Sequence, residues 1–233
     1  MNLYVGTSGY SYKEWKGSFY PESLAAKDML SYYASKLPAV ELNNTFYRLP
    51  QRTMIESWKA QTPEDFRFCV KASRTITLFR RLENTSDLTK KFLATVSAFG
   101  DRLGAVLYRL PDDMKKDLKR LERFLKTLPP EPRAAFDFRH ESWFDDDVVK
   151  LLRNENRVLC ISDTDELPVS QIDKTADWGY VRLRRVNYST ADLREWIGRM
   201  KAQDWKTTFV FFKHEDEGTG PRLASEFIDL YQK

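Results

Sequence analysis

Charged side chains recur at alternate positions within short apolar runs of this sequence, a spacing that sends them all to one side of a β-strand. In Val181-Arg182-Leu183-Arg184 the aliphatic pair faces one way, and Arg182 and Arg184 face the other. Phe136-Asp137-Phe138-Arg139 repeats the arrangement. Val40-Glu41-Leu42-Asn43 sets Glu41 and Asn43 on one face, and Phe68-Cys69-Val70-Lys71 ends on Lys71. With Arg109, Lys213 and His214 added, bases outnumber the acids Glu41, Asp137, Asp163 and Asp216, so gathered in one place they would create a positive potential whose natural guest is an anion. Arginine forks match the oxygens of phosphate or carboxylate. In this reading Lys71, Arg109, Arg139, Asp163, Arg182, Arg184 and Lys213 form the binding set, with Asn43 beside them, and Glu41 or Asp137 handles protons. A structural network in which Glu41 and Asp137 neutralise arginines is the alternative.

Three further segments carry candidate chemistry. Gly6-Thr7-Ser8-Gly9-Tyr10 has small residues that let backbone amides approach a ligand, and Ser8 and Tyr10 add hydroxyl donors. An ordinary tight turn accounts for the same residues, since neither a phosphate-loop Gly-Lys-Ser/Thr nor a dinucleotide fingerprint follows. Asn43-Asn44-Thr45-Phe46-Tyr47 combines amides with two rings, either a platform on which Tyr47 meets a planar substrate or a packed corner. Arg139-His140-Glu141-Ser142-Trp143 offers His140 as a general acid or base if a carboxylate orients it, or as a structural hydrogen-bonder. With only two histidines in the chain, an imidazole-rich zinc site is poorly supported. No metal ligands or cofactor are expected, and Mg²⁺ on the carboxylates stays open without a specific indication. The absence of a Gly-x-Ser-x-Gly elbow and of the kinase motifs lowers serine hydrolysis and phosphoryl transfer from ATP.

The elements that must position these residues alternate along the whole chain. Eight strand candidates, Leu3–Gly6, Ala39–Leu42, Phe66–Val70, Ala105–Leu110, Ala134–Phe138, Val158–Ser162, Tyr180–Leu183 and Thr208–Phe212, are separated by helical patterns. Met29, Leu30, Tyr33, Ala34 and Leu37 form one apolar stripe ending before Pro38. Leu88, Phe92, Leu93, Val96 and Phe99 form another, ending at Gly100 in a left-handed conformation. Leu118, Leu121, Leu125 and Leu128, and then Leu193, Trp196, Ile197 and Met200, repeat the period. Thr164–Gly179 is polar, contains Pro168, and reads as a loop or degenerate helix. The sum is an α/β chain folding as one TIM-like (β/α)₈ barrel over residues 1–233, with one degenerate βα unit around 164–179 and charges at the C-terminal mouth.

The broader properties agree with that architecture. A net charge of +4 favours anionic partners slightly and falls short of a dedicated nucleic-acid arm. No run approaches the roughly 20 apolar residues that span a bilayer, and Met1–Gly6 reads as a strand without a basic leader, so no membrane association and a cytoplasmic location are expected. Cys69 and Cys160 sit in apolar runs, where a buried free thiol is the ordinary occupant.

Across essentially the entire chain the sequence resembles the YecE-like family, a domain-of-unknown-function family. The resemblance is carried by Gly6-Thr7-Ser8-Gly9-Tyr10, Trp15, Phe19-Tyr20-Pro21, Glu41-Leu42-Asn43-Asn44-Thr45-Phe46-Tyr47-Arg48, and Phe66, Phe68 and Lys71, in that order. It implies a TIM-like barrel and supplies no activity. Similarity in kind to the xylose isomerase and endonuclease IV group suggests a sugar-phosphate or DNA-backbone ligand by fold analogy alone, and the histidine-rich zinc sites of that group have no counterpart here. Relatives tend to show Arg-Leu-His-Gly where this chain has Arg182-Leu183-Arg184-Arg185. They also have Gln at Arg109, Glu at Asp137 and asparagines at Lys213-His214, so this mouth is more basic. Three functions stay open: an enzyme acting on a small phosphorylated or carboxylated substrate; a nucleic-acid-binding or nuclease-like barrel in which Arg80, Arg81, Arg184 and Arg185 extend the basic rim and Tyr47 or Trp143 stacks a base; and a non-catalytic barrel that binds a partner. No oligomeric state is implied.

Overall fold

All eight apolar runs become parallel strands, and alternation within them decides which side each residue takes. The computed structural model describes residues 1–166, 169 and 172–233; Pro168 lies outside the described residues. The strands are β1 (Asn2–Ser8), β2 (Ala39–Leu42), β3 (Arg67–Lys71), β4 (Leu103–Arg109), β5 (Ala134–Asp137), β6 (Val158–Leu159), β7 (Ile161–Asp163), β8 (Trp178–Leu183) and β9 (Thr207–Phe212). Their order in the sheet is β6-β5-β4-β3-β2-β1-β9-β8-β7. The segments β6 and β7 are one stretch of chain interrupted at Cys160. The first pairs with β5 and the second with β8, while the Cys160 N–H still donates to Phe136 O at 2.8 Å. The nine segments are thus the eight strands of a closed TIM-like barrel whose last joint, on the β5 side, is two residues deep.

Helices α1 (Met29–Ala34), α2 (Asn44–Tyr47), α3 (Arg52–Ala60), α4 (Ser86–Val96), α5 (Leu118–Leu125), α6 (Asp146–Asn154), α7 (Thr190–Lys201) and α8 (Thr219–Gln232) follow the strands. The anticipated stripes face the barrel with one exception: Leu88 is exposed, and Thr89 takes the buried place one position on. After α4 the chain continues in a 3₁₀ stretch, Ser97–Arg102, and Gly100 has φ 59° and ψ −138°, a positive φ outside the left-handed helical region expected of it. No described residue between β7 and β8 is helical, and Trp178 and Gly179, read from sequence as part of a loop or degenerate helix, belong to β8.

Two apolar layers result. The larger lies between strands and helices. The smaller fills the lumen with an unequal division of sizes: Ala39, Cys69, Ala105, Ala135 and Cys160 are small, whereas Trp178, Tyr180, Phe209 and Phe211 on β8 and β9 are aromatic. Large residues on one arc fill the space that small ones on the other leave, which keeps the interior close-packed. Among the described residues no helix is long and apolar enough to cross a membrane.

Close approach of β1 to β2 fixes the first helix. The Tyr33 hydroxyl donates to Ala39 O at 2.8 Å and accepts from the Thr7 N–H at 2.8 Å, locking α1 over both strands. A Cβ on Gly6 would stand 1.8 Å from Ala39 O and 2.8 Å from that hydroxyl. Gly6→Ala is therefore expected to force strand and helix apart and cost about 2–3 kcal/mol, seen as a lowered midpoint in a denaturant melt; an unchanged midpoint would contradict the close approach.

Candidate functional site at the barrel mouth

Directly above the apolar lumen, the next inward residue on each strand is polar. Arg182, two positions beyond Tyr180, is 1% exposed and lies between two carboxylates. Its Nη2 donates to Glu41 Oε1 at 2.9 Å and its Nη1 to Asp137 Oδ2 at 2.8 Å. Ser8 Oγ donates to Glu41 Oε1 at 2.5 Å and the Tyr180 hydroxyl to Glu41 Oε2 at 2.8 Å. Burial pushes the Glu41 carboxyl upward, but Arg182 and the hydroxyls of Ser8 and Tyr180 outweigh it and hold the group below its ordinary value. Burial likewise works against the charge of Arg182, and Glu41 and Asp137 reverse that effect and keep it protonated. Glu41, Asp137, Arg182 and Ser8 are therefore brought together as a closed layer whose charges compensate one another. Asp137 Oδ1 alone among the four carboxylate oxygens has no hydrogen-bond donor among the described residues.

One level further out, five half-buried cations converge from five strands. Lys71 ends β3 and Arg109 ends β4, while Arg139, Arg184 and Lys213 stand just beyond β5, β8 and β9. Strand pairing continues past the last two ends, with Arg184 N–H donating to Asp163 O at 2.9 Å and Lys213 N–H to Leu183 O at 3.1 Å, so alternation still holds there. Counter-charges are sparse. Arg139 donates to Ser162 Oγ at 3.2 Å, meets Asp112 at 3.5 Å and stands 4.0 Å from Asp137; Arg109 meets Asp112 at 3.4 Å and Asp137 at 4.0 Å. Lys213 is 3.8 Å from Glu215. Arg184 has its Nε and Nη1 shielded from solvent with no acceptor among the described residues.

Crowded cations oppose one another's charge. Burial, then Arg182 and Arg109, brings Lys71 down to about 8. Burial, then Arg182 and Arg109, brings Arg184 down to about 10, and burial followed by Arg184 lowers Lys213. Lys71 Nζ rests 4.1 Å from the centre of the Phe46 ring, and no carboxylate pairs with it among the described residues.

Other expected site residues lie elsewhere. Asp163 is turned outward, because Ser162 is the inward residue of β7; its Oδ2 accepts from Arg185 Nε at 2.7 Å and from the Tyr188 hydroxyl at 2.9 Å. His140 has no carboxylate on its ring among the described residues. Instead its Nδ1 accepts the Ser142 N–H at 3.2 Å and caps the turn Glu141–Trp143, so the orienting partner that acid–base work requires is not formed. Tyr10 packs toward the helices, 6.2 Å from the Tyr33 ring, and burial raises its pKa. Asn43 precedes α2, half-buried, without a side-chain capping bond. Tyr47 is on the rim, 67% exposed. Trp143 is fully buried, stacked 4.4 Å from Phe138, and cannot receive a base. Among the described residues no group of three or more His, Cys, Asp or Glu side chains assembles for a metal, and Glu41 and Asp137 face Arg182.

Tyr180, Ser162 and Asp112 were not among the site residues expected from sequence. The first two were within its reach, since Tyr180 lies two residues before Arg182 and Ser162 two after Cys160, on the same inward face. Asp112 belongs to a loop, where no periodicity applies.

A family profile described as "Protein of unknown function DUF72" matches residues 4–233. The chain is 32% identical over 143 residues to the UPF0759 protein YecE of Escherichia coli, a match covering 61% of this chain and about half the length, 50%, of that relative. It is 22% identical to the UPF0759 protein YunF of Bacillus subtilis, covering 98% of this chain and 94% of that one. A crystal structure of a DUF72 family protein from Thermotoga maritima matches with a TM-score of 0.88 at 27% identity, both chains covered in full. One from Enterococcus faecalis, at a TM-score of 0.78 and 17% identity with 100% of this chain and 98% of that chain covered, agrees in fold.

Arg182→Ala is expected to lower stability by about 3–5 kcal/mol, because it strands Glu41 and Asp137 as buried unpaired charges. Arg184→Ala surrenders no ion pair and should stay within about 1 kcal/mol of the parent in the same urea titration. Equal losses in the two variants would refute the division into a closed layer and an open one.

Proposed function

This chain belongs to the DUF72 family of proteins of unknown function, and on that premise we propose that it is an enzyme whose barrel mouth binds a small phosphorylated or carboxylated substrate. The observation that carries the reading is the outer tier of cations. Arg109, Arg139, Arg184 and Lys213, with Lys71 at their edge, meet above two carboxylates already occupied by Arg182, and Arg184 presents two shielded N–H groups without an acceptor among the described residues. Their mutual repulsion raises the free energy of the folded chain, and an anion seated among them relieves it. The position supports a catalytic setting as well, because barrel enzymes build their sites at the C-terminal ends of the strands. Arg182, assigned to the ligand from sequence, serves here as the support beneath it, and anion contact falls to the outer tier. Of the two carboxylates, Asp137 is the better placed to accept a proton, through Oδ1. A cytoplasmic setting is part of the same proposal, in keeping with the free, buried Cys69 and Cys160.

A second reading, nucleic-acid binding, is favoured by one feature of the rim. Arg74 lies 5.7 Å from the Tyr47 ring and 5.4 Å from the Phe79 ring, and the two rings are 67% and 62% exposed. Against it, Arg81 is engaged by Asp113 at 2.8 Å and Arg185 by Asp163. Backbone binding would weaken linearly with salt on logarithmic axes; binding of a short oligonucleotide that is lost in Arg74→Ala with such a slope would establish this reading over the first.

Sulfate keeps one charge state through neutral and mildly alkaline pH, so it isolates the protein's own titration. It is expected to raise the melting temperature of the parent, by about 2.7 kcal/mol of added stability at one hundred times its dissociation constant, and to do so far less in Arg184→Gln. Binding an anion favours the charged forms of Lys71 and Lys213, so sulfate affinity should fall as pH rises through about 8. Calorimetric titration showing no sulfate response, or one indifferent to Arg184, would remove the proposal.

A further inference from the structure

Arg109 and Arg139 share Asp112, and Lys213 has Glu215 within 3.8 Å. Lys71 and Arg184 are the members of the outer tier that form no ion pair among the described residues, and of the two Lys71 is the amine. Its ammonium group rests on the face of Phe46, which removes water from one side and offers no proton acceptor. The backbone beneath is fixed: Thr45 Oγ1 donates to Lys71 O at 2.7 Å, and the next residue, Ala72, donates its N–H to Leu107 O at 2.9 Å. A long side chain on a fixed strand end, resting on the Phe46 ring with Arg182, Glu41, Arg109 and Asp137 near enough to act on its charge, is an amine at the same level as the outer cations.

An amine attacks carbonyl carbon only when it is unprotonated, and an ordinary lysine with a pKa near 10.4 is free in about one molecule in a few thousand at neutral pH. Lowered to about 8, Lys71 is unprotonated in roughly one molecule in ten. Desolvation and a neighbouring cation are two recognised ways of activating a lysine nucleophile, and burial with Arg182 and Arg109 supplies both, outweighing the opposite pull of Glu41 and Asp137.

We propose that Lys71 is an amine nucleophile that forms an imine with a small aldehyde or ketone bearing a phosphate or carboxylate, the anion being held by Arg109, Arg139, Arg184 and Lys213. This rests on the anion-site reading above and adds the class of substrate. The Lys71 Nζ lone pair forms the nitrogen–carbon bond while the carbonyl π pair moves to oxygen. A proton passes from nitrogen to that oxygen, giving a neutral carbinolamine. The carbon–oxygen bond then breaks, oxygen leaves as water with a proton drawn from solvent at the mouth, and the nitrogen lone pair completes the protonated imine. Neither oxidant nor reductant is required. The protonated imine draws electrons from the adjacent bonds, which suits carbon–hydrogen or carbon–carbon cleavage beside the former carbonyl.

The test uses the full chain with pyruvate and, separately, glyceraldehyde 3-phosphate, each trapped with borohydride and mapped by peptide mass spectrometry. With at least one of the two, a single adduct per chain at Lys71 is expected, suppressed by sulfate, with a formation rate that climbs with pH and levels off only above the free chain's value of about 8, because the seated anion favours the charged amine. Lys71→Arg, its folding checked by its melting curve, should lose the adduct. Adducts scattered over exposed lysines, or equal labelling of Lys71→Arg, would overturn the proposal. If sulfate stabilises the parent but neither carbonyl compound is trapped at Lys71, the nucleophile falls and the anion site stands. If sulfate also fails to stabilise it, both fall together.

Discussion

The guanidinium of Arg182 is the point on which this barrel depends. It bonds to Glu41 on β2 and Asp137 on β5 from its own strand β8, three places spread around the ring, and so ties together strands that share no backbone hydrogen bonds. Two carboxylates and one guanidinium, all almost fully shielded, would be costly apart, since each buried charge must recover the hydration it gives up. Together, with Ser8 and Tyr180 supplying hydroxyls to Glu41, they form a polar plug between the apolar lumen and the open mouth. The plug leaves Arg182 unavailable to a guest, and it sets the floor on which the outer cations stand.

This division explains how one sequence pattern served two purposes. Alternating charge in Val181-Arg182-Leu183-Arg184 sends both arginines inward, and a shift of two residues along the strand separates a structural ion pair from an unpaired cation. The apolar lumen, with its small residues on one arc and its rings on the other, holds the strands in the registers that make those two levels coincide around the ring. Electrostatic strain accumulates in the outer level, where Lys71, Arg184 and Lys213 all lose affinity for protons. Preorganised charge of this kind needs no rearrangement when a ligand arrives.

Period-two alternation made the strands and the inward charges legible, because burial on the helix side admits no error in facing. Ala39–Leu42 was located to the residue, and the inward placement of Glu41, Asp137, Arg182 and Arg184 followed from the same rule. What alternation cannot give is partnership. It could not say that Arg182 rather than Arg184 would take both carboxylates, since that depends on heights set by register between distant strands. It also gave no purchase on loops: Asp163 and His140 satisfy their polar atoms with neighbours beyond the strand ends, where side-chain direction is decided by individual turns. Leu88 and Thr89 show the equivalent slip on a helix, where one position is about 100° of rotation.

The interruption at Cys160 bears on how the ring holds its shape. A rolled sheet resists flattening only once its two margins meet, and here they meet through a strand that gives two residues to one neighbour and three to the other. The Arg182 to Asp137 bond passes over that strand from inside, joining β8 to β5 like the pin of a buckle, and Arg139 to Ser162 adds a second stitch on the same inner face, nearer the mouth. A guest that drew Arg182 toward itself would unfasten the hoop at its narrowest point. On the proposed reading, roundness and reception are thus assigned to different arginines, and an anion at the mouth would come and go without slackening the wall that shapes it.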